Sequence, residues 1–341
     1  MMPVFPTQYS TLSAVALNSA LQESYGLPGT TCRLLIRNVS DTYLLESAAN
    51  KYIFKIYRDF HRKRDEIKAE VELLNILKSA GVKVSYPLTD KSGHQLQEFN
   101  AAEGIRYGVL FSFAKGEPVY DLSSEHLKTL GHEMAHFHNI SSKTKLQYPR
   151  PEFTVDTMLL QPVKVVAPAF KNLPDEYALL KELSAKVADK IKSFDTSKFS
   201  YGYCHYDFLP KNFHFENAHT LTFFDFDFCG WGMLANDIAS FYVHYFMETT
   251  LNKITKERGE ADFQLFIDAY REVRPFTEEE LEAVPYLGFA FWVFYLRFQF
   301  ENYDDWSNSF FNDRFLRERI RILKLWADRH LIFKAKVGRF D

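Results

Sequence analysis

Tyr203-Cys-His-Tyr-Asp-Phe-Leu-Pro-Lys-Asn212, followed by Leu221-Thr-Phe-Phe-Asp-Phe-Asp227, is the stretch whose reading decides the fold. Its chemistry reduces to His205, Asp207 and Asn212, then Asp225 and Asp227 set between aromatic residues. A carboxylate and a carboxamide five residues apart fit one tight loop. A second carboxylate at the end of an apolar strand can be brought beside them. Together they offer one base and a set of oxygen ligands for a hard cation such as Mg²⁺, which phosphoryl transfer from a nucleotide needs. Written as a strand, residues 223–228 alternate, with Asp225 and Asp227 on one face and Phe224, Phe226 and Phe228 on the other. Two like charges so close repel, and a bound divalent cation would relieve the repulsion.

Working outward, 341 residues suffice for two modest domains or one bilobal enzyme. Hydrophobic residues at 46% and charged residues at 25% are ordinary for a globular chain and exclude a disordered one. A formal net charge of -3 gives no reason to expect a nucleic-acid partner. Thirty-three Phe and 19 Tyr imply an aromatic core. Cys32, Cys204 and Cys229 are scattered and odd in number, which favours free thiols in a reducing compartment. No signal peptide is visible, so a cytoplasmic protein is expected. The most apolar window, 286–300, is too short for a membrane span and contains Arg297.

Residues 9–24 have the spacing of a short amphipathic helix, with Ser10 or Ser13 as its cap. Residues 32–39, 42–46 and 51–57 read as strands, and 64–80 as a helix stopped by Gly81. Two more strands are expected at 95–99 and 106–113. Beyond Phe113-Ala-Lys-Gly-Glu117 the pattern becomes helical, over 123–140, 175–193, 233–248, 261–273, 277–303 and 310–331. Short strands near 202–204, 213–215 and 221–225 interrupt it. The expected division is therefore 1–114, a nucleotide-binding lobe, and 115–341, a helical lobe carrying the catalytic loop and the substrate site.

Lys55 lies between Phe54 and Ile56 in the middle of a strand. An unpartnered buried ammonium is costly, so a counter-charge is required. The following helix offers Glu70 or Glu72, about 200° apart around its axis. Glu70, followed by Leu73, Leu74 and Leu77, is the expected partner.

These motifs resemble the aminoglycoside phosphotransferase and choline kinase superfamily, small-molecule kinases with a protein-kinase-like fold. The resemblance implies an α+β bilobal architecture: an antiparallel sheet plus helix, then a mainly helical lobe. In the family pattern His-x-Asp-x-x-x-x-Asn, Asp207 falls on the catalytic base, Asn212 on a Mg²⁺ ligand and His205 on the residue that packs the loop. Asp225 falls on the metal-binding Asp, with Asp227 a second metal ligand or a structural acceptor. Asp237, in Gly230-Trp-Gly-Met-Leu-Ala-Asn-Asp237, is implied to brace the catalytic loop through its backbone N–H groups. Lys55 would contact the nucleotide phosphates, and Ser40 and Thr42 in 37–43 would cover them. Ser112, Phe113 and Ala114 would form the hinge against the base of ATP or GTP. The chain departs from the aminoglycoside kinases at Tyr206, where they usually carry Gly, and at Leu209, where many relatives carry His. Both departures weigh against antibiotic inactivation more than against kinase chemistry.

The acceptor implied by the resemblance is a hydroxyl of a small molecule. Stress-response kinases of this fold act instead on protein Ser or Thr, and a non-catalytic nucleotide-binding module is a further alternative. The aromatic and acidic run 291–306, with Glu301, Asp304 and Asp305, would suit an amine or hydroxyl-bearing metabolite. A rival motif, His132-Glu133-Met-Ala-His136, matches the zinc-protease helix pattern and would make the chain a zinc hydrolase. The same helix also fits the small-molecule-kinase pattern of Leu130, Gly131, Ala135 and His138.

Overall fold

The computed structural model describes residues 7, 9–58, 61–302 and 310–331. The chain opens with α1 (Ala14–Tyr25), β1 (Thr31–Arg37), β2 (Ser40–Glu46), β3 (Lys51–Tyr57), α2 (Arg64–Ser79), β4 (Leu96–Ala101) and β5 (Gly104–Ser112). Next come α3 (Ser124–Ser141), β6 (Glu152–Phe153), α4 (Gln161–Val165), α5 (Pro174–Ser193) and β7 (Tyr201–Cys204). The remainder is β8 (Phe213–Asn217), β9 (Thr220–Phe223), β10 (Gly230–Met233), α6 (Ala235–Thr250), α7 (Lys256–Val273), α8 (Glu278–Asn302) and α9 (Asp313–His330). An antiparallel sheet at the N-terminal end and helices thereafter make the mixed α and β architecture expected from the sequence.

The chain divides into two compact units. The first takes the described residues of Met1–Pro118, with Thr144–Arg150 and Phe213–Asp227. The second takes Val119–Lys143, Pro151–Asn212 and the described residues of Phe228–Asp341. A single cut after residue 114 therefore misses two returns of the chain to the first unit. The β8–β9 hairpin belongs there because its backbone is bonded there. Ser85 N donates to Phe223 O at 2.8 Å, Phe223 N to Lys83 O at 2.8 Å, and Glu117 and Phe215 exchange bonds at 3.1 and 3.0 Å.

In the first unit five antiparallel strands run in the order β1-β2-β3-β5-β4. Alternation puts Tyr43, Leu45, Phe54, Ile56 and Leu110 together against Leu17 and Leu21 of α1. Each such side chain contributes about 1.5–3 kcal/mol by leaving water. Helix α1 starts at Ala14, because Ser13 caps it by accepting from Ala16 N. Ser10 is used elsewhere, donating to Glu103 Oε2 at 2.6 Å. Gly26 ends α1 at φ +67, a conformation glycine adopts without strain.

In the second unit, β6, β10 and β7 form a small sheet, with β10 parallel to β6 and antiparallel to β7. Helices α3 and α7 lie close at Gly131, where an added Cβ would come within 2.6 Å of Phe266 O. Leu127, Leu130, Met134 and Phe137 of α3 are buried, as their spacing requires. Residues 156–173 carry elements the periodicity did not show: a π-helical turn at Asp156–Leu160, then α4, then a 3₁₀ turn at Ala167–Phe170.

One local expectation fails. The strand ends at Phe223, Asp225 takes φ +62, and Phe226–Phe228 forms a 3₁₀ turn. The two carboxylates are not aligned by strand alternation. A left-handed residue, which Asp tolerates better than most, turns the chain between them. Among the described residues no helix is long and apolar enough to cross a membrane.

Candidate active site

In the first unit Lys55 is 7% exposed. It lies directly across from Thr42 on β2 and Val109 on β5, so Thr42 and Lys55 share a face of the sheet. Ser40, opposite Tyr57, is buried. Lys55 Nζ sits 2.8 Å from Asp225 Oδ1 and 3.7 Å from Asp227 Oδ1. Burial pushes the ammonium's pKa down, but Asp225, Asp227 and Glu70 outweigh it and hold the pKa above its ordinary value.

The expected direct ion pair between Lys55 and Glu70 is absent among the described residues. Asp225 and Asp227, brought in by the hairpin, reach the ammonium first. Glu70 is 1% exposed, and its Oε2 has no hydrogen-bond partner among the described residues. Burial raises its pKa, and the Lys55 charge opposes that rise without cancelling it. Glu72, the alternative, accepts instead from Gln147 N at 3.1 and 2.9 Å.

Asp227 is the hub of this cluster, and three residues absent from the sequence reading hold it. His61 Nε2 lies 2.6 Å from Oδ2 and Arg62 Nε 3.3 Å from Oδ1. Arg62 Nη2 and Arg150 Nη2 donate to the Asp227 carbonyl at 2.8 and 2.5 Å. Burial pushes the Asp227 carboxyl up, yet Arg62, Lys55 and His61 together bring it well below the usual range. Both Asp227 carboxylate oxygens have partners, and the residue is 2% exposed. The Asp225 side chain is 48% exposed and reachable by a ligand.

At the expected hinge, Ser112 O accepts from Ser85 Oγ at 2.5 Å and Ala114 O bonds His214 Nδ1 at 3.0 Å. Phe113 receives Lys51 Nζ 5.8 Å from its ring centroid.

In the second unit the loop after β7 is pinned by the start of α6. Asp237 Oδ2 accepts from His205 N at 2.9 Å, and Oδ1 accepts from Tyr206 N at 2.6 Å. His138 Nε2, 3.0 Å from Asp237 Oδ2, steadies that carboxylate, and His138 Nδ1 meets Tyr270 Oη at 2.8 Å. Ser240 Oγ accepts from Phe208 N at 3.0 Å. His205 Nδ1 accepts from Asp207 N at 3.3 Å, and its ring packs 5.2 Å from Phe208.

Asp207 is 2% exposed. Its Oδ2 takes Asn212 Nδ2 at 2.7 Å and Lys211 Nζ at 2.9 Å. Its Oδ1 has no partner among the described residues. Asn212 Nδ2 also donates to Asp207 O at 2.8 Å. Tyr206 adopts φ +65, a conformation that glycine takes without strain. Here the ring is held by stacking 3.8 Å from Phe153, with Phe294 and Phe291 edge-on at 5.0 and 5.6 Å.

A cavity of ≈ 300 Å³ in this unit is lined by Leu209, Pro210 and Lys211 and by Phe291, Trp292 and Tyr295 of α8. Phe291, Trp292 and Tyr295 belong to the aromatic and acidic run 291–306. Of its acidic residues, Glu301 pairs with Arg297 at 2.9 Å, and Asp304 and Asp305 lie outside the described residues. The zinc motif does not assemble. His132 bonds Glu272 at 2.8 Å, and no group of three His, Cys, Asp or Glu among the described residues is placed to hold a metal.

Residues 31–276 match the phosphotransferase enzyme family. An uncharacterized protein of Synechocystis sp. is 31% identical over 91% of this chain and 86% of its own length. The homoserine kinase of Methylobacillus glycogenes is 23% identical over 74% of each chain. Among solved structures, an amicoumacin kinase with AMP-PNP and Ca²⁺ superposes with a TM-score of 0.74, 19% identity and 92% of each chain covered. A microcompartment-associated aminopropanol kinase gives 0.71, 19% identity, and 93% and 97% coverage. At these identities the superpositions show a shared fold alone. The family match covers more than two-thirds of the chain, and the chain belongs to the phosphotransferase enzyme family as a small-molecule, kinase-type phosphotransferase.

Proposed function

We propose that the chain transfers the γ-phosphoryl group of ATP or GTP, with Mg²⁺, to a hydroxyl of a small metabolite. The observation that carries this reading is the asymmetry of Asp207. Asn212 and Lys211 occupy Oδ2 and fix the carboxylate, while the buried Oδ1 is left without a partner. A base oriented in this way accepts the acceptor's hydroxyl proton at Oδ1. The acceptor oxygen bonds the γ-phosphorus, the bond to the β-phosphate oxygen breaks, and the nucleoside diphosphate leaves.

Lys55, with an ammonium charged at any physiological pH, pairs with the nucleotide phosphates, and Thr42 on the same sheet face assists. Mg²⁺ prefers oxygen donors. Asp225, exposed, and Asn212, with its amide oxygen unused, are the donors that suit it; when bound it neutralises charge on the phosphates. Asp237 and His205 position the loop. Ser112, Phe113 and Ala114 take the purine edge. An aromatic cavity favours a small acceptor over a protein one, and relatives named homoserine kinase act on a hydroxyl carried by an amine-bearing metabolite.

Asp207→Ala is expected to cut phosphoryl transfer by about 10²–10⁴-fold while retaining nucleotide binding. Mg²⁺-dependent nucleoside diphosphate release across a panel of hydroxylated metabolites measures it, with thermal melting to verify folding. Unchanged turnover in the variant sinks the assignment.

A further inference from the structure

The cavity beside Leu209–Lys211 contains one carboxylate, Glu248. A second cavity, of ≈ 310 Å³, adjoins it and shares Tyr120, His244, Glu248 and Lys253. Glu248 therefore sits where an aromatic chamber meets a charged one. Its side chain is 14% exposed, and its partner Lys253, 2.9 Å away, is 57% exposed. Lys253 follows Asn252, a residue at φ +56 beyond the end of α6. The ion pair joins a well-buried acid on a helix to a solvated lysine past the helix end. Pairs with one solvated member contribute little, and the lysine can return to water at small cost.

His244, one helical turn before Glu248, does not supply a competing cation. Its Nε2 is 3.1 Å from Tyr120 O, and burial lowers its pKa. Lys211 is already paired with Asp207. The remaining wall is apolar or aromatic: Phe291, Trp292, Tyr295, Val243 and Met247. A sugar would find few hydrogen-bond partners on such a wall, and a polyamine would find Glu248 alone, since Asp121 and Asp262 of the adjoining cavity are both paired with Arg258. A single ammonium on an apolar stem fits, because an acid and aromatic faces both attract it.

We propose that Glu248 is the specificity-determining residue for the acceptor. It holds the ammonium of a hydroxylated monoamine whose apolar body lies along Phe291, Trp292 and Tyr295, and Lys253 occupies Glu248 until the amine displaces it. The fate of the hydroxyl rests on the phosphoryl-transfer reading; the binding of the amine does not.

Calorimetry on the full chain tests the two separately. The probes are phenylalaninol, 3-phenyl-1-propanol, which keeps the ring and hydroxyl but lacks the amine, and phenylserine, which adds a carboxylate. Phenylalaninol is expected to bind at least about 30-fold more tightly than the neutral alcohol, the equivalent of one desolvated charge pair. Glu248→Gln, nearly isosteric, is expected to abolish that preference with unchanged thermal unfolding. Lys253→Ala is expected to tighten phenylalaninol several-fold by removing the competitor. Equal binding of amine and alcohol, or a preference that survives Glu248→Gln, overturns the assignment. Weaker phenylalaninol binding in Lys253→Ala, or phenylserine binding more tightly than phenylalaninol, overturns the displacement by showing that Lys253 contributes to the site. Intact amine binding without nucleoside diphosphate release in any condition would refute the phosphoryl-transfer reading and leave Glu248 standing.

Discussion

In the first unit, Lys55, His61 and Arg62 converge on Asp225 and Asp227, the members of one contact lying 170 residues apart in sequence. In the second unit, the loop from His205 to Asn212 is held by the backbone N–H groups of His205, Tyr206 and Phe208, donated to Asp237 and Ser240 on the first turns of one helix. The first cluster is a charge balance: Lys55, His61, Arg62, Asp225 and Asp227 satisfy one another, and removing one leaves the rest uncompensated. The second is a cap: each bond is local in kind, and the geometry tolerates loss of any one of them better. On the proposed reading, phosphates and a metal would enter and leave the first cluster, which mobile charges suit, and a base would keep one oxygen aimed in the second, which rigid backbone bonds suit.

The comparison breaks most sharply at Asp227. Asp227→Asn keeps the shape and removes the charge that Arg62, Lys55 and His61 share. A loss of about 3–5 kcal/mol is expected, read as a lower urea midpoint. A loss under about 1 kcal/mol would mean that the cations find other partners, and the hub description would fail.

A smaller effect is expected in the loop. Tyr206→Gly relieves a left-handed φ worth about 1–2 kcal/mol. It also removes a 1%-exposed ring stacked on Phe153, a loss of about 3–5 kcal/mol. The net destabilisation is about 2 kcal/mol, and thermal melting measures it. A more stable variant would show that strain, not the aromatic wall, dominates at this position.

Local features were legible in the sequence, and long-range charge pairing was not. Asp237 bracing the loop was implied by the family resemblance of Gly230–Asp237, and Lys55 stood out because it lies between Phe54 and Ile56 in mid-strand. The partner of Lys55 could not be read, since it depends on where the β8–β9 hairpin docks through Phe223 and Phe215. His61, Arg62 and Arg150 lie in connections without periodicity, so no pattern marked them. Asp225 and Asp227 looked like strand residues because the apolar alternation continues through them, and a positive φ at Asp leaves no trace in a sequence. Glu248 looked like an ordinary acid near a helix end; its neighbours in the cavity come from 120, 209–211 and 291–295.

The smallest expected effect sharpens the comparison most, because its sign is unusual. Glu70 is buried with an unpaired oxygen, and burial raises its pKa even with Lys55 nearby. A carboxyl whose folded pKa is raised binds more protons folded than unfolded, so folding stability falls as pH rises above the unfolded value near 4.5. At neutral pH the Glu70 charge is therefore a cost in the isolated fold. Glu70→Gln is expected to leave stability within about 1 kcal/mol of the parent or to raise it, in contrast to Asp227→Asn. Urea titrations of both proteins between pH 8 and pH 5 measure this, and the parent should gain on the variant as pH falls, because protonation removes the same charge the substitution removes. On the proposed reading the same variant should transfer phosphate poorly, since Glu70 would hold Lys55 once Asp225 turned to a metal. A marked loss of stability at pH 7 would place Glu70 inside the charge balance with Asp227, and the first unit would then contain one mutually dependent network without a reserve member.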